Sequence, residues 1–150
     1  GSQGWAVHPS NGSQAPILGD DQIGGFRREM AIYYRPQALK TLYSKLIVEG
    51  RKGIDGHIAL VVTGELGNGK SDKFYFDTGS FLLFRLESWV GERTQETLSF
   101  SDYNEVDGMK IPFTTQVQRP NSYTLIKVSE VKHNTAIEES IFNPPGPRQR

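Results

Sequence analysis

Gly64-Glu65-Leu66-Gly67-Asn68-Gly69-Lys70-Ser71 spells G-x-x-x-x-G-K-[ST], the phosphate-cradling pattern of nucleotide hydrolases. That chemistry needs backbone N–H groups wrapped around a phosphate. It also needs the loop to open a helix whose positive end faces the phosphate. The segment before the loop, His57 to Thr63, reads as a strand, as required. The segment after it does not fit. Asp72 to Gly79 is aromatic-rich and soon broken by a turn, so it reads as a second strand. No βαβ pattern follows, and no later apolar strand ends in a magnesium-binding Asp. The motif is therefore read as a Gly-rich hairpin loop, and nucleotide binding is not expected.

The other chemical candidates are weaker. The three histidines, His8, His57 and His133, include no i, i+4 pair and no HExxH motif, so they read as surface residues rather than metal ligands. No G-x-S-x-G elbow nominates a nucleophile. No catalytic residue is named, and the chain is read as a non-enzyme. Asp20-Asp21, Glu138-Glu139 and the group Asp102, Glu105 and Asp107 do not have the spacing of a calcium loop. They read as helix capping and solvated turns. Asn11-Gly12-Ser13 fits a glycosylation sequon, which matters only in a eukaryotic secreted protein. No cofactor and no metal are expected.

Composition narrows the partners. The chain has 150 residues, with 17 Lys plus Arg balanced by 17 Asp plus Glu. Nucleic-acid affinity comes mostly from counterion release by a basic surface, so a neutral chain is a poor generic binder. With no Cys there are no disulfides and no Cys-ligated zinc or iron–sulfur cluster. No apolar run reaches the ~18 residues of a membrane-spanning helix. The length fits one domain with one ordinary core.

The elements follow from periodicity. Trp5 to Leu18 is read as a strand end and a loop. Residues 20–45 are the helical stretch. Asp20 and Asp21 are N-cap candidates, and Ile23, Phe26, Met30 and Tyr33 recur at helical spacing on one face. Pro36 can start a second helix, with Leu39, Leu42 and Tyr43 on its buried side. Residues 46–134 read as an antiparallel meander. Its turns are marked by Asp55-Gly56, Asn68-Gly69, Thr78-Gly79, Asp107-Gly108 and Pro120-Asn121. The strands fall at 46–52, 57–65, 72–77, 81–88, 95–104, 109–119 and 123–133. In 109–119, apolar Met109, Ile111, Phe113 and Val117 alternate with polar residues, the mark of a sheet with one wet face. In 81–88, Leu82, Phe84 and Leu86 share a face while Phe81 and Leu83 sit opposite, which predicts a central strand. In 123–133 the phase breaks at Glu130-Val131, which predicts a bulge. Residues 135–143 tuck against the sheet through Ile137 and Phe142, and 144–150 form a flexible Pro-rich tail. The aromatics of the meander, Phe74, Tyr75, Phe76, Phe81, Phe84, Phe100, Tyr103 and Phe113, fit either a filled core or the lining of an apolar site.

Three runs, in order, carry a family resemblance. They are Lys73-Phe74-Tyr75-Phe76-Asp77-Thr78-Gly79-Ser80-Phe81-Leu82-Leu83-Phe84-Arg85-Leu86-Glu87, then Phe100 to Phe113 with Ser101-Asp102-Tyr103 and Val106-Asp107-Gly108, then Tyr123 to Asn134. Together they resemble bacterial outer-membrane lipoprotein-sorting proteins, the periplasmic carrier and receptor superfamily of the Lol type. The match is good over 46–143 and extends to the helices of 20–45. The resemblance implies an α+β fold: a curved, incompletely closed antiparallel sheet of about seven strands with helices covering its concave face. It implies binding of a lipid or the acyl chain of a lipoprotein between sheet and helices, in the periplasm or elsewhere outside the cytoplasm. Related copies also occur as modules of larger secreted proteins, so the alternative is a protein-interaction or structural β module with a filled core.

The family's preceding helix and strands have no counterpart ahead of Trp5. Residues 1–143 are thus expected to be one domain, either shortened at its N-terminus or a minimal variant. An incomplete sheet leaves an edge on which a second copy can pair to form a homodimer. Transient contact with a membrane surface is the other expected association. The expected apolar lining is Ile23, Phe26, Met30 and Tyr33 from the helix, facing Leu82, Phe84, Leu86, Leu98, Phe100, Ile111 and Phe113 from the sheet.

Overall fold

The computed structural model of the chain describes residues 19–34, 39–67, 69–90 and 94–143. The strand end and loop read in 1–18, the sequon and the tail at 144–150 lie outside the described residues. Helix α1 spans Asp20–Tyr34, and the single turn α2 spans Leu39–Leu42. The strands are β1 (Lys45–Ile54), β2 (His57–Glu65), β3 (Ser71–Asp77), β4 (Leu83–Val90), β5 (Thr94–Val106), β6 (Met109–Arg119) and β7 (Ser122–Lys127). A 3-10 turn over Glu139–Phe142 follows.

The spatial order is β1 through β7, the order of the chain. Every pairing is antiparallel and every connection joins neighbours, so the sheet is a meander with β1 and β7 at its edges and is not closed. The turn residues explain why. Asp55 and Gly56 sit at φ 50° and 81°, and Asp107 and Gly108 at 50° and 80°. Positive φ at both central residues is the geometry whose twist matches that of antiparallel strands. β4 is the central strand, as its two-sided apolar pattern predicts.

Side chains alternate between the two faces of a strand. The inner face carries the larger core: Phe74, Leu83, Leu86, Leu98, Phe100 and Val117 pack with Tyr43. Ile32 of α1 and Leu39 and Leu42 of α2 pack against this cluster. Removing a side chain such as Phe74 from water contributes roughly 1.5–3 kcal/mol. The outer face carries a smaller cluster, Ala59, Val61 and Tyr75, with Ile54 and Phe84 beside them.

Two readings of phase are corrected. Tyr75 pairs with Arg85 but Phe76 pairs with Leu83, so β4 holds one extra residue at this point. Such a two-against-one bulge turns Phe84 and Arg85 to the same side. Leu83 and Leu86 therefore point inward, and Phe84 points outward with Tyr75, away from the face it was expected to share with Leu86. At the other end of the sheet, β7 stops at Lys127, and the chain from Val128 to Glu138 is irregular. The break at Glu130-Val131 therefore lies outside the sheet and is not a bulge.

Candidate functional site

The inner face buries a charged residue, Asp72, among its apolar neighbours. The alternation of β3 sends Asp72, Phe74 and Phe76 inward, and Asp72 is 1% exposed. Two donors reach the same oxygen: the Tyr43 hydroxyl donates to Asp72 Oδ2 at 2.6 Å, and Arg28 Nε donates to it at 3.1 Å. Arg28 comes from α1 and Tyr43 from the junction of α2 and β1, so one carboxylate ties three segments together. Burial pushes the Asp72 carboxyl above its ordinary range; Tyr43, Arg28 and the Trp89 backbone N–H oppose that rise. Burial, with the Asp72 charge beside it, also pushes the Tyr43 hydroxyl upward.

The Tyr43 ring stands edge-on to Phe74, centroids 5.6 Å apart. Its other neighbour is Gly64, where an added Cβ would lie 2.6 Å from the ring. The first glycine of the phosphate-loop motif is thus required by a packed tyrosine. The loop itself joins two antiparallel strands. Glu65 pairs with Ser71, and the Leu66 N–H donates to the Lys70 carbonyl at 2.7 Å. No helix follows, so the helical terminus needed to face a phosphate is missing, as expected. Lys70 Nζ instead lies 5.1 Å from the centre of the Trp89 ring.

The expected lining residues divide. Leu86, Leu98 and Phe100 come together in the inner cluster. Ile111 is buried and Phe113 half-buried on β6. Leu82 lies in the β3–β4 turn, where its carbonyl accepts the Asp77 N–H, and Phe84 is on the outer face. On α1, Ile23 is half-buried, but Phe26 and Met30 are 56% and 55% exposed. The Tyr33 side chain lies outside the described residues. At 3.6 residues per turn, Arg28, Ala31 and Ile32 fall on the opposite side of the helix from Phe26 and Met30. That side is the one turned inward: Ala31 is buried, Ile32 meets the core and Arg28 meets Asp72. The helix therefore carries its bulkier apolar stripe outward, contrary to expectation.

Sequence reasoning missed the pairing of Arg28 with Asp72. The signal available was an acidic residue at an inward position of an aromatic strand, which calls for a buried cation or donor.

A concavity of about 360 Å³ opens at the hairpin end of the sheet, with His57, Asp77, Phe84, Arg85, Ser101 and Tyr103 among its walls. The His57 ring stacks on Phe84 at 4.6 Å, and its Nδ1 lies 3.2 Å from Asp77 Oδ2. The Ser80 backbone N–H and hydroxyl, then His57, hold Asp77 down at about 2. Arg85 pairs with Asp55 at 3.2 Å and with Glu87 at 2.9 Å. Ser80 Oγ donates to Asp77, not to His57, so these three side chains do not form a nucleophile–base relay. Among the described residues, no cluster of His, Asp or Glu is arranged to hold a metal ion.

Comparison with known proteins bears on the fold alone. No family model matches the chain, and no curated protein does. Among solved structures, a DUF1329 family protein from Desulfovibrio piger superposes with a TM-score of 0.61 at 18% identity, over 93% of this chain and 62% of that one. A Vibrio parahaemolyticus domain, provisionally described as an outer membrane lipoprotein-sorting protein domain, superposes with a TM-score of 0.60 at 14% identity, over 94% of this chain and 63% of that one. The chain therefore spans less than two thirds of the length of either. The open seven-stranded meander described above is thus a fold that this chain shares with both structures, one of them of the kind that the three sequence runs resemble.

Proposed function

We propose that this chain binds a lipid, or the acyl chain of a lipoprotein, against the inner face of its sheet, outside the cytoplasm and without catalysing a reaction. The observation that carries this reading is the inner face itself. Phe74, Leu83, Leu86, Leu98 and Phe100 form one apolar surface, and α1 is fastened over part of it by a charged contact at Asp72. Burying an acyl chain yields roughly 0.8 kcal/mol per CH₂, so such a surface binds usefully with no reactive group. The shared fold supports the reading. The proposed lining is Leu86, Leu98 and Phe100, joined by Phe74 and Leu83; Phe84 drops out because it faces the other way.

A second reading has its own observation. Phe74 is 1% exposed and Tyr43 presses on Gly64, which fits a filled core in an interaction module. Native mass spectrometry of protein taken directly from cells separates the two. A lipid-binding domain carries an adduct of acyl-chain mass, and Leu98→Asp reduces it. Bare protein that also ignores a fluorescent fatty acid in titration would establish the filled module.

A further inference from the structure

The two edges of the sheet are built differently. β1 carries Lys45, Glu49, Arg51 and Lys52 among its ten residues. Its register shifts between Val48 and Gly50, and Gly50 sits at φ 111°. Charges and a bulge are the devices by which proteins stop an edge from accepting another strand. β7 has neither. Its sequence Ser122-Tyr123-Thr124-Leu125-Ile126-Lys127 contains one charge and no Pro, and it pairs with β6 without a register shift. Tyr123, Leu125 and Ile126 are all exposed. Among the described residues, no strand lies against its far side.

We propose that β7 is a self-association edge: two copies of this chain pair β7 to β7, antiparallel, about a two-fold axis at Leu125. The asymmetry of the edges selects this arrangement. Stacking β7 on β1 would run on without closing, and β1 opposes it. Pairing β7 with itself uses the receptive edge of each copy and leaves only blunted edges outside.

The register follows from the backbone. The Val128 N–H donates to the Phe113 carbonyl at 2.8 Å, continuing the β6–β7 ladder. Residues 122, 124, 126 and 128 therefore turn their peptide groups toward β6, and Tyr123, Leu125 and Lys127 turn theirs outward. Centred on Leu125, an antiparallel pair sets every outward donor opposite an outward acceptor. Leu125 meets Leu125 of the other copy, and Tyr123 stands across from Lys127 in both directions. On the opposite face Thr124 meets Ile126. No like charges face each other, and each Lys127 can lie over a tyrosine ring.

Sedimentation velocity of the whole 150-residue chain tests this. The expected species at micromolar and higher concentration has twice the 16.8 kDa mass of one chain. Leu125→Lys places two ammonium groups at the axis and is expected to give monomer. Leu125→Pro removes the central outward donor, leaves the β6 ladder intact, and is also expected to give monomer. Val48→Lys on β1 is expected to leave the dimer unchanged. Leu125→Cys, in a chain without native cysteine, is expected to cross-link to a covalent dimer on oxidation. Circular dichroism confirms that each variant is folded. A single-chain mass at every concentration would overturn the proposal, as would a dimer that survives both Leu125→Lys and Leu125→Pro or is lost in Val48→Lys.

Discussion

The inner and outer faces of this sheet treat the same chemical group in opposite ways. On the inner face, burial drives the Asp72 carboxyl upward and two donors only partly offset it. On the outer face, Glu49 and Asp77 are both held at about 2 by donors that they meet in water. Thr63, Lys52 and Lys73 surround Glu49; Ser80 and His57 hold Asp77. A carboxylate on the outer face is a local solvated feature. Asp72, buried on the inner face, draws its cation from a distant segment, α1. The difference locates what orients the helix: a charged contact with Asp72, rather than the apolar stripe of Phe26 and Met30.

Breaking that contact gives the largest expected effect. Arg28→Met leaves Asp72 buried without its cation, and truncating one partner of a buried pair typically costs about 3–5 kcal/mol. The guanidinium side chain is 16% exposed, so roughly 3 kcal/mol is expected in urea unfolding at neutral pH. Asp72→Asn is expected to lose about half as much, because the Asn oxygen can still accept from Tyr43 and Arg28, and the guanidinium left without a carboxylate is less buried than Asp72. The pH dependence separates the two variants. A carboxyl whose folded value is raised binds its proton more tightly when folded, so it favours the folded state as pH falls toward the ordinary 3.8. The deficit of Arg28→Met should therefore shrink on acidification, whereas that of Asp72→Asn should not. A deficit that stays constant with pH would detach α1 orientation from the charge on Asp72.

Gly64→Ala tests the same face from the sheet side. Its Cβ would sit 2.6 Å from a Tyr43 ring that cannot swing freely, because the hydroxyl is bonded to Asp72. Overpacking of this kind costs about 1–3 kcal/mol, and thermal unfolding should show it. Combining Gly64→Ala with Tyr43→Leu should restore part of the loss. Two independent losses that simply add would mean the ring and the glycine do not communicate.

These positions mark where the sequence was legible and where it was not. All seven strands and their order are readable, because Asp55-Gly56 and Asp107-Gly108 dictate turns locally and alternation dictates what lies between. The burial of Tyr43 with Leu39 and Leu42 is readable for the same reason. The phase of β4 is not, since one extra residue at Phe84 rephases the strand and leaves no local signature. The facing of α1 is not readable either. Its stripe of Ile23, Phe26 and Met30 satisfies helical periodicity, yet the inward side is chosen by Arg28 and a carboxylate 44 residues away. Of the expected lining, Leu86, Leu98 and Phe100 reach the inner cluster; Phe84 beside the bulge and Phe26 and Met30 on the helix do not.

On the outer face the expected effects are smaller and of opposite sign in pH. Glu49 and Asp77 have lowered folded values, so their contribution is complete above the ordinary carboxylate range of 4.5 and 3.8. It is lost as pH falls toward about 2. Glu49→Gln and Asp77→Asn should each lower stability modestly at neutral pH, and the deficit should fade as pH falls toward about 2, flattening the acid limb of the stability curve. A carboxyl resonance for either residue that titrates near 4 in NMR would remove the basis for contrasting the two faces.

The smallest effect is expected at Lys70, the residue that the phosphate-loop pattern makes most important. In a nucleotide site, its ammonium would sit on a phosphate and its loss would abolish binding. Here the loop closes a hairpin and the ammonium lies over Trp89, a contact worth roughly 0.5–1 kcal/mol at an exposed site. Lys70→Ala should lower the melting temperature slightly, by the same amount with and without magnesium-ATP. The unmodified chain should show no shift on adding the nucleotide. A saturable shift that disappears in Lys70→Ala would mean that a phosphate can be held without a helix terminus, and that Gly64 serves a ligand as well as the Tyr43 ring.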